Sequence, residues 1–168
     1  VDVSTANRAT LGGMTGNNSC GARSIRYGNM VHNVSSVEAL LADGTRAHFK
    51  SVNGQTEDNL AYQRLVHKML ELGEREAAEI RSRFPKLLRR VGGYNIDELI
   101  KEEPNMGRLL VGSEGTLGFF KRIHLDLQPI PPEKVLGVCH FPSFYEAMDA
   151  TQHIVKLDPD AVELIDRT

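Results

Sequence analysis

The stretch Thr10-Leu-Gly-Gly-Met-Thr-Gly-Asn-Asn-Ser-Cys-Gly-Ala-Arg-Ser-Ile-Arg-Tyr-Gly28 decides how this chain is read, because five glycines stand among small polar residues and two arginines. Glycine admits positive φ and lets a ligand come close to the main chain, so successive N–H groups can converge on one anion. Asn17, Asn18 and Ser19 are good capping residues, and a short helix beginning there would aim its positive end at the same point. The stretch alone leaves two readings open, a phosphate cradle or a glycine-rich surface turn with no ligand. No G-x-G-x-x-G follows an apolar strand and no G-x-x-x-x-G-K-[ST] occurs, which argues against a Rossmann or P-loop site.

Working outward, a second glycine cluster, Val111-Gly-Ser-Glu-Gly-Thr-Leu-Gly118, runs into the alternating segment Phe119 to Leu127. Between the two clusters stands Gly93-Tyr-Asn-Ile-Asp97, with Leu99 just beyond. In this order the three motifs resemble the flavin-binding domain of the FAD-linked oxidases, the family of vanillyl-alcohol oxidase, glycolate oxidase and the D-lactate dehydrogenases. The first cluster is similar to that family's flavin pyrophosphate loop, the middle segment to its Gly-Tyr-Asp-Leu stretch, and the second cluster to its Gly-Ser-Glu-Gly-Thr-Leu-Gly signature. The wording Asn17-Asn-Ser-Cys-Gly-Ala-Arg23 most resembles the large bacterial members that act on D-2-hydroxy acids and carry a further iron–sulfur portion.

The resemblance implies FAD as cofactor. It assigns the N–H groups of Gly12, Gly13, Cys20, Gly21 and Ala22 to the pyrophosphate, with Thr10 and Asn18 shaping the loop and Tyr27-Gly28 closing it. For Cys20 the main chain, not the thiol, is the part expected to matter. Glu114 reads as an acceptor for loop N–H groups or a ribose contact rather than a general base, since a carboxylate beside phosphates would repel them. Gly118, Phe119 and Phe120 resemble the strand along the adenosine end of FAD, with the two phenylalanine side chains in the core. Tyr94 and Asn95 lie in the segment that approaches the flavin ring in relatives; a packed tyrosine with its hydroxyl satisfied is the alternative. Arg89-Arg90-Val91 departs from relatives that place a lysine and an asparagine there. Arg23 and Arg26 are expected in salt bridges or solvent, with phosphate contacts as the alternative.

The implied reaction is hydride transfer from C2 of a 2-hydroxy acid of the lactate, glycolate or 2-hydroxyglutarate class to flavin N5, with the electrons passed to an acceptor. Substrate and base residues of such relatives lie mainly in a cap domain, so no catalytic residue is assigned. Other flavin chemistry on the same scaffold and a non-enzymatic α+β interaction module are the competing readings.

Composition sets the outer limits. With 168 residues, 40% hydrophobic and 25% charged, the chain has the make-up of a globular segment of one domain or slightly more. No apolar run approaches the about 20 residues a bilayer needs, and no signal peptide opens the sequence. Twenty basic against 22 acidic residues give a net charge of −2, which argues against a nucleic-acid partner. Cys20 and Cys139 are too few for a disulfide framework and too far apart for Cys-x-x-Cys, so a reducing, cytoplasmic setting is expected. Six histidines never fall at metal-ligand spacing, and no metal site is expected.

The fold class expected is α+β: the second subdomain of the FAD-binding domain over 1–128, a helical insertion over about 55–92, a linker at 129–133, and the first β-α-β unit of the cap over 134–168. Strands are expected at Val31–Leu41 and Thr45–Phe49 around an Asp43-Gly44 hairpin turn. Helical spacing from Glu57 to Phe84 puts Leu60, Leu65, Met69, Leu72, Ala77 and Ile80 on one face, ended by Pro85. Glu71, Glu74, Arg75, Glu76 and Glu79 read as its solvated face. A short helix at Ile96–Lys101 is broken by Pro104-Asn105 and Gly107. Then follow a long strand Leu117–Leu127, a strand Lys134–Phe141, a helix Ser143–Lys156 capped by Ser143, and a strand Ala161–Ile165. Both ends read as cut, so a piece of a longer protein is expected, inactive by itself and prone to self-associate through exposed apolar surface.

Overall fold

The computed structural model describes residues 1, 3–52, 59–87 and 89–166. Thr10 begins a helix there. Its Oγ1 accepts the Gly13 N–H at 3.0 Å, capping α1 (Leu11–Asn17), and Asn18 ends α1 with a left-handed φ of 53°. This overturns the expectation of a helix starting at Asn17 to Ser19: those residues close a helix, because Thr10 offers the hydroxyl cap seven residues earlier. Two single turns follow, α2 (Ser24–Tyr27) and α3 (Met30–Asn33). The strand expected from Val31 therefore starts at Val34, since Asn29 and His32 close a capping box over the preceding turn.

The sheet is antiparallel, with β1 (Val34–Leu40) between β2 (Arg46–Phe49) and β3 (Phe119–Leu125). Glu38 faces His48 on one side and Arg122 on the other, and β1 is irregular against β3 at two points. The Asp43-Gly44 turn forms as expected: Gly44 takes φ 84°, and Asp43 Oδ1 accepts the Thr45 N–H at 2.9 Å. That bond holds the Asp43 carboxyl below its usual range. Val34, Val37, Ala39 and Phe49 are buried from the sheet side. The valine and phenylalanine side chains contribute about 1.5–3 kcal/mol each on full burial, and the Ala39 methyl about 0.8 kcal/mol.

The core is completed by helices. In α4 (Leu60–Arg83) Asn59 caps the first turn, and Tyr62 meets the Phe49 ring edge-on at 5.1 Å. Leu65, Met69, Leu72 and Ile80 face inward as expected, whereas Leu60 is exposed in the first turn, where Tyr62 takes the place on the sheet. Phe84 turns extended before Pro85, as proline requires of its predecessor. The expected start at Glu57 lies outside the described residues. A 3₁₀ helix, Ile96–Ile100, packs on α4 at Gly73, and α5 (Met106–Leu110) closes the core with Met106, Leu109 and Leu110. The 3₁₀ helix ends before Pro104-Asn105, as expected, and Asn105 in addition caps α5, accepting from Gly107 and Arg108, so that Gly107 lies inside a helix.

Beyond β3, the helix capped by Ser143 forms as α6 (Phe144–Ile154), with a 3₁₀ turn Val155–Leu157. The strands expected at 134–141 and 161–165 do not form. Alternation prepares a strand, yet ladder bonds to a neighbour make one, and neither segment pairs among the described residues; Val135 and Leu136 stand 96% and 86% exposed. The class is α+β, as expected.

Candidate functional site

The three motifs, far apart in sequence, meet at the end of α1. The Thr15 and Gly16 carbonyls accept the N–H groups of Gly112 and Glu114, each at 2.9 Å. Asn17 Nδ2 donates to Glu114 Oε1 at 2.8 Å, and the hydroxyls of Tyr94 and Thr116 lie 2.9 Å apart. Asn95 Nδ2 donates to the Val111 carbonyl at 2.8 Å. Gly112 is required at this junction: its φ is 80°, and a Cβ there would stand 3.2 Å from that of Asn18.

Buried amides hold the loop from beneath. Asn18, 1% exposed, accepts the Val31 N–H at 2.9 Å and donates to the Arg90 carbonyl, which also receives Asn29 Nδ2 at 3.1 Å. Asn33 Nδ2 donates to the carbonyls of Tyr27 and Asn29. A buried amide is tolerated only when bonded, so each of these side chains specifies one path for the glycine-rich chain. Asn29 N–H donates to His32 Nδ1 at 2.9 Å, and desolvation, then the nearby Lys101, lowers the His32 pKa and favours the neutral ring.

The expected cofactor residues divide into groups. Thr10, Gly12 and Gly13 form the exposed first turn of α1, where the Gly13 N–H is already taken by Thr10. Cys20, Gly21 and Ala22 line a cavity of about 440 Å³ together with Arg89 and Glu163. Here the Gly21 N–H donates to Ser24 Oγ at 2.9 Å, and its carbonyl accepts Arg89 Nη1 at 3.0 Å. Gly28, at φ 70°, ends α2 after Tyr27. Glu114 is exposed at φ 50°, with its carboxylate on Asn17, so it acts as an acceptor within the loop. Gly118 lies against the Leu40 carbonyl, where a Cβ would be 3.1 Å away. Phe119 corrects the sequence reading: it is 71% exposed while Phe120 packs on the core, because successive strand residues face opposite sides and one side of β3 is uncovered. Arg26 is held by Asp160 at 2.8 Å, a salt bridge as expected. Tyr94 has its hydroxyl satisfied but is exposed rather than packed. Both cysteines are free, and no cluster suited to a metal occurs among the described residues.

Residues 1–50 match the family described as FAD binding domain. This part of the chain is similar to that family. Over 98% of its length the chain is 31% identical to a D-2-hydroxyglutarate dehydrogenase of Pseudomonas putida, covering 17% of that protein. It is 29% identical, with the same coverage, to the D-2-hydroxyglutarate dehydrogenase of Escherichia coli. To a D-lactate dehydrogenase of Archaeoglobus fulgidus it is 28% identical over 96% of the chain and 27% of the relative. The chain thus spans about a sixth of the length of the first two relatives.

The residues around the two glycine clusters fit a dinucleotide. Cys20, Ala22 and the Arg89 guanidinium line the cavity and supply donors suited to an oxyanion, whereas the Gly21 N–H is taken by Ser24 and Glu163 places a carboxylate in the same lining. Ser113 Oγ and Asn95 Oδ1 are buried without partners beside the junction of the motifs. A Cβ at Gly12, Gly16 or Gly115 would meet nothing, leaving the main chain open to a ligand. Sequence reasoning missed Ser24, which occupies the Gly21 N–H, and the Arg90 carbonyl, which gathers two buried asparagines. In the sequence Arg89 stands out only as a departure from relatives that carry a lysine and an asparagine in this stretch. Its signal was its place four residues before Gly93.

Proposed function

We propose that this chain is the second half of the flavin domain, with the start of the cap, of an FAD-dependent dehydrogenase that oxidises D-2-hydroxy acids of the lactate, glycolate or 2-hydroxyglutarate class. The observation that carries the reading is the meeting of the three motifs through direct hydrogen bonds: Thr15-Gly16 with Gly112 and Glu114, Tyr94 with Thr116, and Asn95 with Val111. The similarity to dehydrogenases of both names along nearly the whole chain supports it. The chemistry that bound FAD supplies is acceptance of a hydride equivalent from C2 of the hydroxy acid, which leaves as the 2-oxo acid.

The chain's own part is to bind and orient. Cys20, Gly21 and Ala22 present main chain to the pyrophosphate side, with Gly12 and Gly13 at the turn that opens α1, and Asn18 fixes the path between them. Glu114 holds the second glycine turn against α1 through Asn17, and Gly118 and Phe119 carry the chain into β3. Residues 1–128 form the flavin half, 129–133 the linker and 134–168 the opening of the cap. The exposed Val135, Leu136 and Val138 then await sheet partners from the rest of that domain. The intact protein takes a 2-hydroxy acid and a separate electron acceptor, works in the cytoplasm and self-associates. No described helix is long and apolar enough to cross a membrane.

The test is a flavin absorbance spectrum of the full-length protein purified without added cofactor, followed by anaerobic addition of D-lactate, glycolate or D-2-hydroxyglutarate. Bound flavin that bleaches with one of them is expected. Flavin that stays oxidised with all overturns the substrate class, and no flavin after reconstitution overturns the reading as a whole.

A further inference from the structure

Three arginines surround the glycine loop with different commitments. Arg26 is fixed by Asp158 and Asp160, and Arg90 pairs with Asp97 while lying 4.7 Å over the Phe84 ring. Arg89 has no carboxylate within ion-pair distance among the described residues; its Nη1 donates to the Gly21 carbonyl, which places the guanidinium at the cavity formed by Cys20, Gly21 and Ala22. A guanidinium has five N–H donors, so this bond orients the group and leaves most of its donors for a ligand.

The cavity needs such a donor. The Gly21 N–H, the natural main-chain contact for an anion, is already bonded to Ser24 Oγ. Glu163 is the other charged residue lining the space, and its carboxylate would repel an entering anion unless a cation offset it. About 440 Å³ lies within the range of small-molecule sites, about 300–1,000 Å³. We propose that Arg89 contacts an oxyanion of the ligand bound in this cavity, either a phosphate of the dinucleotide or the carboxylate of the hydroxy acid. The proposal rests on the flavin reading for the identity of the ligand, and on Arg89, Gly21 and Ser24 for the site.

The test uses the full-length protein with Arg89→Gln and Arg89→Lys. Losing a charge-assisted bidentate contact weakens binding about 10–100-fold. If the anion is a phosphate, R89Q lowers FAD affinity by that factor and leaves riboflavin affinity unchanged. If it is the substrate carboxylate, FAD is retained, KM rises by that factor with kcat nearly constant, and affinity for the 2-oxo acid product falls in parallel. In either case R89K recovers part of the loss, which a merely structural role would not produce. Should R89Q fail to fold, R89K is read instead, with a loss of about 3–10-fold expected for a single-point donor. FAD affinity, KM and product affinity all at wild-type values in a folded variant overturn the proposal. If the wild type holds no flavin, the flavin reading fails by itself. The anion site is then decided by titrating inorganic pyrophosphate into wild type and R89Q, and equal affinity or no binding overturns it.

Discussion

Replacing Asn18 by alanine removes a support on which the arrangement of the glycine loop depends. Its Oδ1 is the acceptor for the Val31 N–H at 2.9 Å, and the residue is 1% exposed, so the orphaned N–H cannot turn to water. Leaving a buried donor unpaired costs about 1–3 kcal/mol. Asn18 also holds φ 53°, where alanine loses about 1 kcal/mol more than asparagine. The sum is about 2–4 kcal/mol, which for a chain of this size lowers the melting temperature by about 4–16 °C. Asn18→Gly separates the two causes, since glycine recovers the backbone share of about 1 kcal/mol and not the hydrogen bond. The assay is thermal unfolding of the 168-residue chain, with FAD titration of the full-length protein in parallel. An Asn18→Ala protein within about 0.5 kcal/mol of wild type would refute the argument that this buried amide organises the loop.

Three further outcomes are expected. Gly73→Ala, which would usually stabilise a helix by about 1 kcal/mol, destabilises by about 1–2 kcal/mol in urea unfolding, because its Cβ would lie 2.7 Å from that of Leu99; a gain would show that α4 can shift away from the 3₁₀ helix. Gly12→Ala raises stability by up to about 1 kcal/mol, since nothing lies within 4 Å of its Cβ and alanine favours α1, yet lowers FAD affinity; unchanged affinity in fluorescence titration removes Gly12 from the binding surface. His32 has a lowered pKa, so the unfolded chain takes up its proton first: stability is fully present above the ordinary value near 6.5 and is lost as pH falls through the folded value. Denaturant midpoints measured from about pH 7.5 to about pH 5 fall more for wild type than for His32→Gln, and parallel curves would show that His32 is not the group responsible.

Much of the local structure was legible because its causes are local. The Asp43-Gly44 turn, the stop before Pro85 and the Ser143 cap each depend on a residue acting on its own main chain within a few positions. Asn18 was misread for a related reason: asparagine serves at either end of a helix, and the choice was made by Thr10 upstream and by Val31 across the loop. Asn105 was read correctly as lying beyond the helix at 96–100, but its second part, starting α5, was not legible. The site was legible as three motifs in order, but the partners that hold them were not. Ser24 and the Arg90 carbonyl carry no motif, since any residue supplies a carbonyl and many supply a hydroxyl.

By itself the sequence determined the class, the element types wherever spacing and caps agree, and the likeness of the glycine-rich segment to the FAD binding domain, since these follow from periodicity, backbone freedom and motif order. Tertiary structure alone decided which N–H groups are already occupied, which arginine reaches the Gly21 loop, and that Phe119 faces outward while Phe120 packs inward. It also decided that alternation at 134–141 gives no strand, because a ladder bond needs a second chain segment alongside, and no property of one segment can supply it.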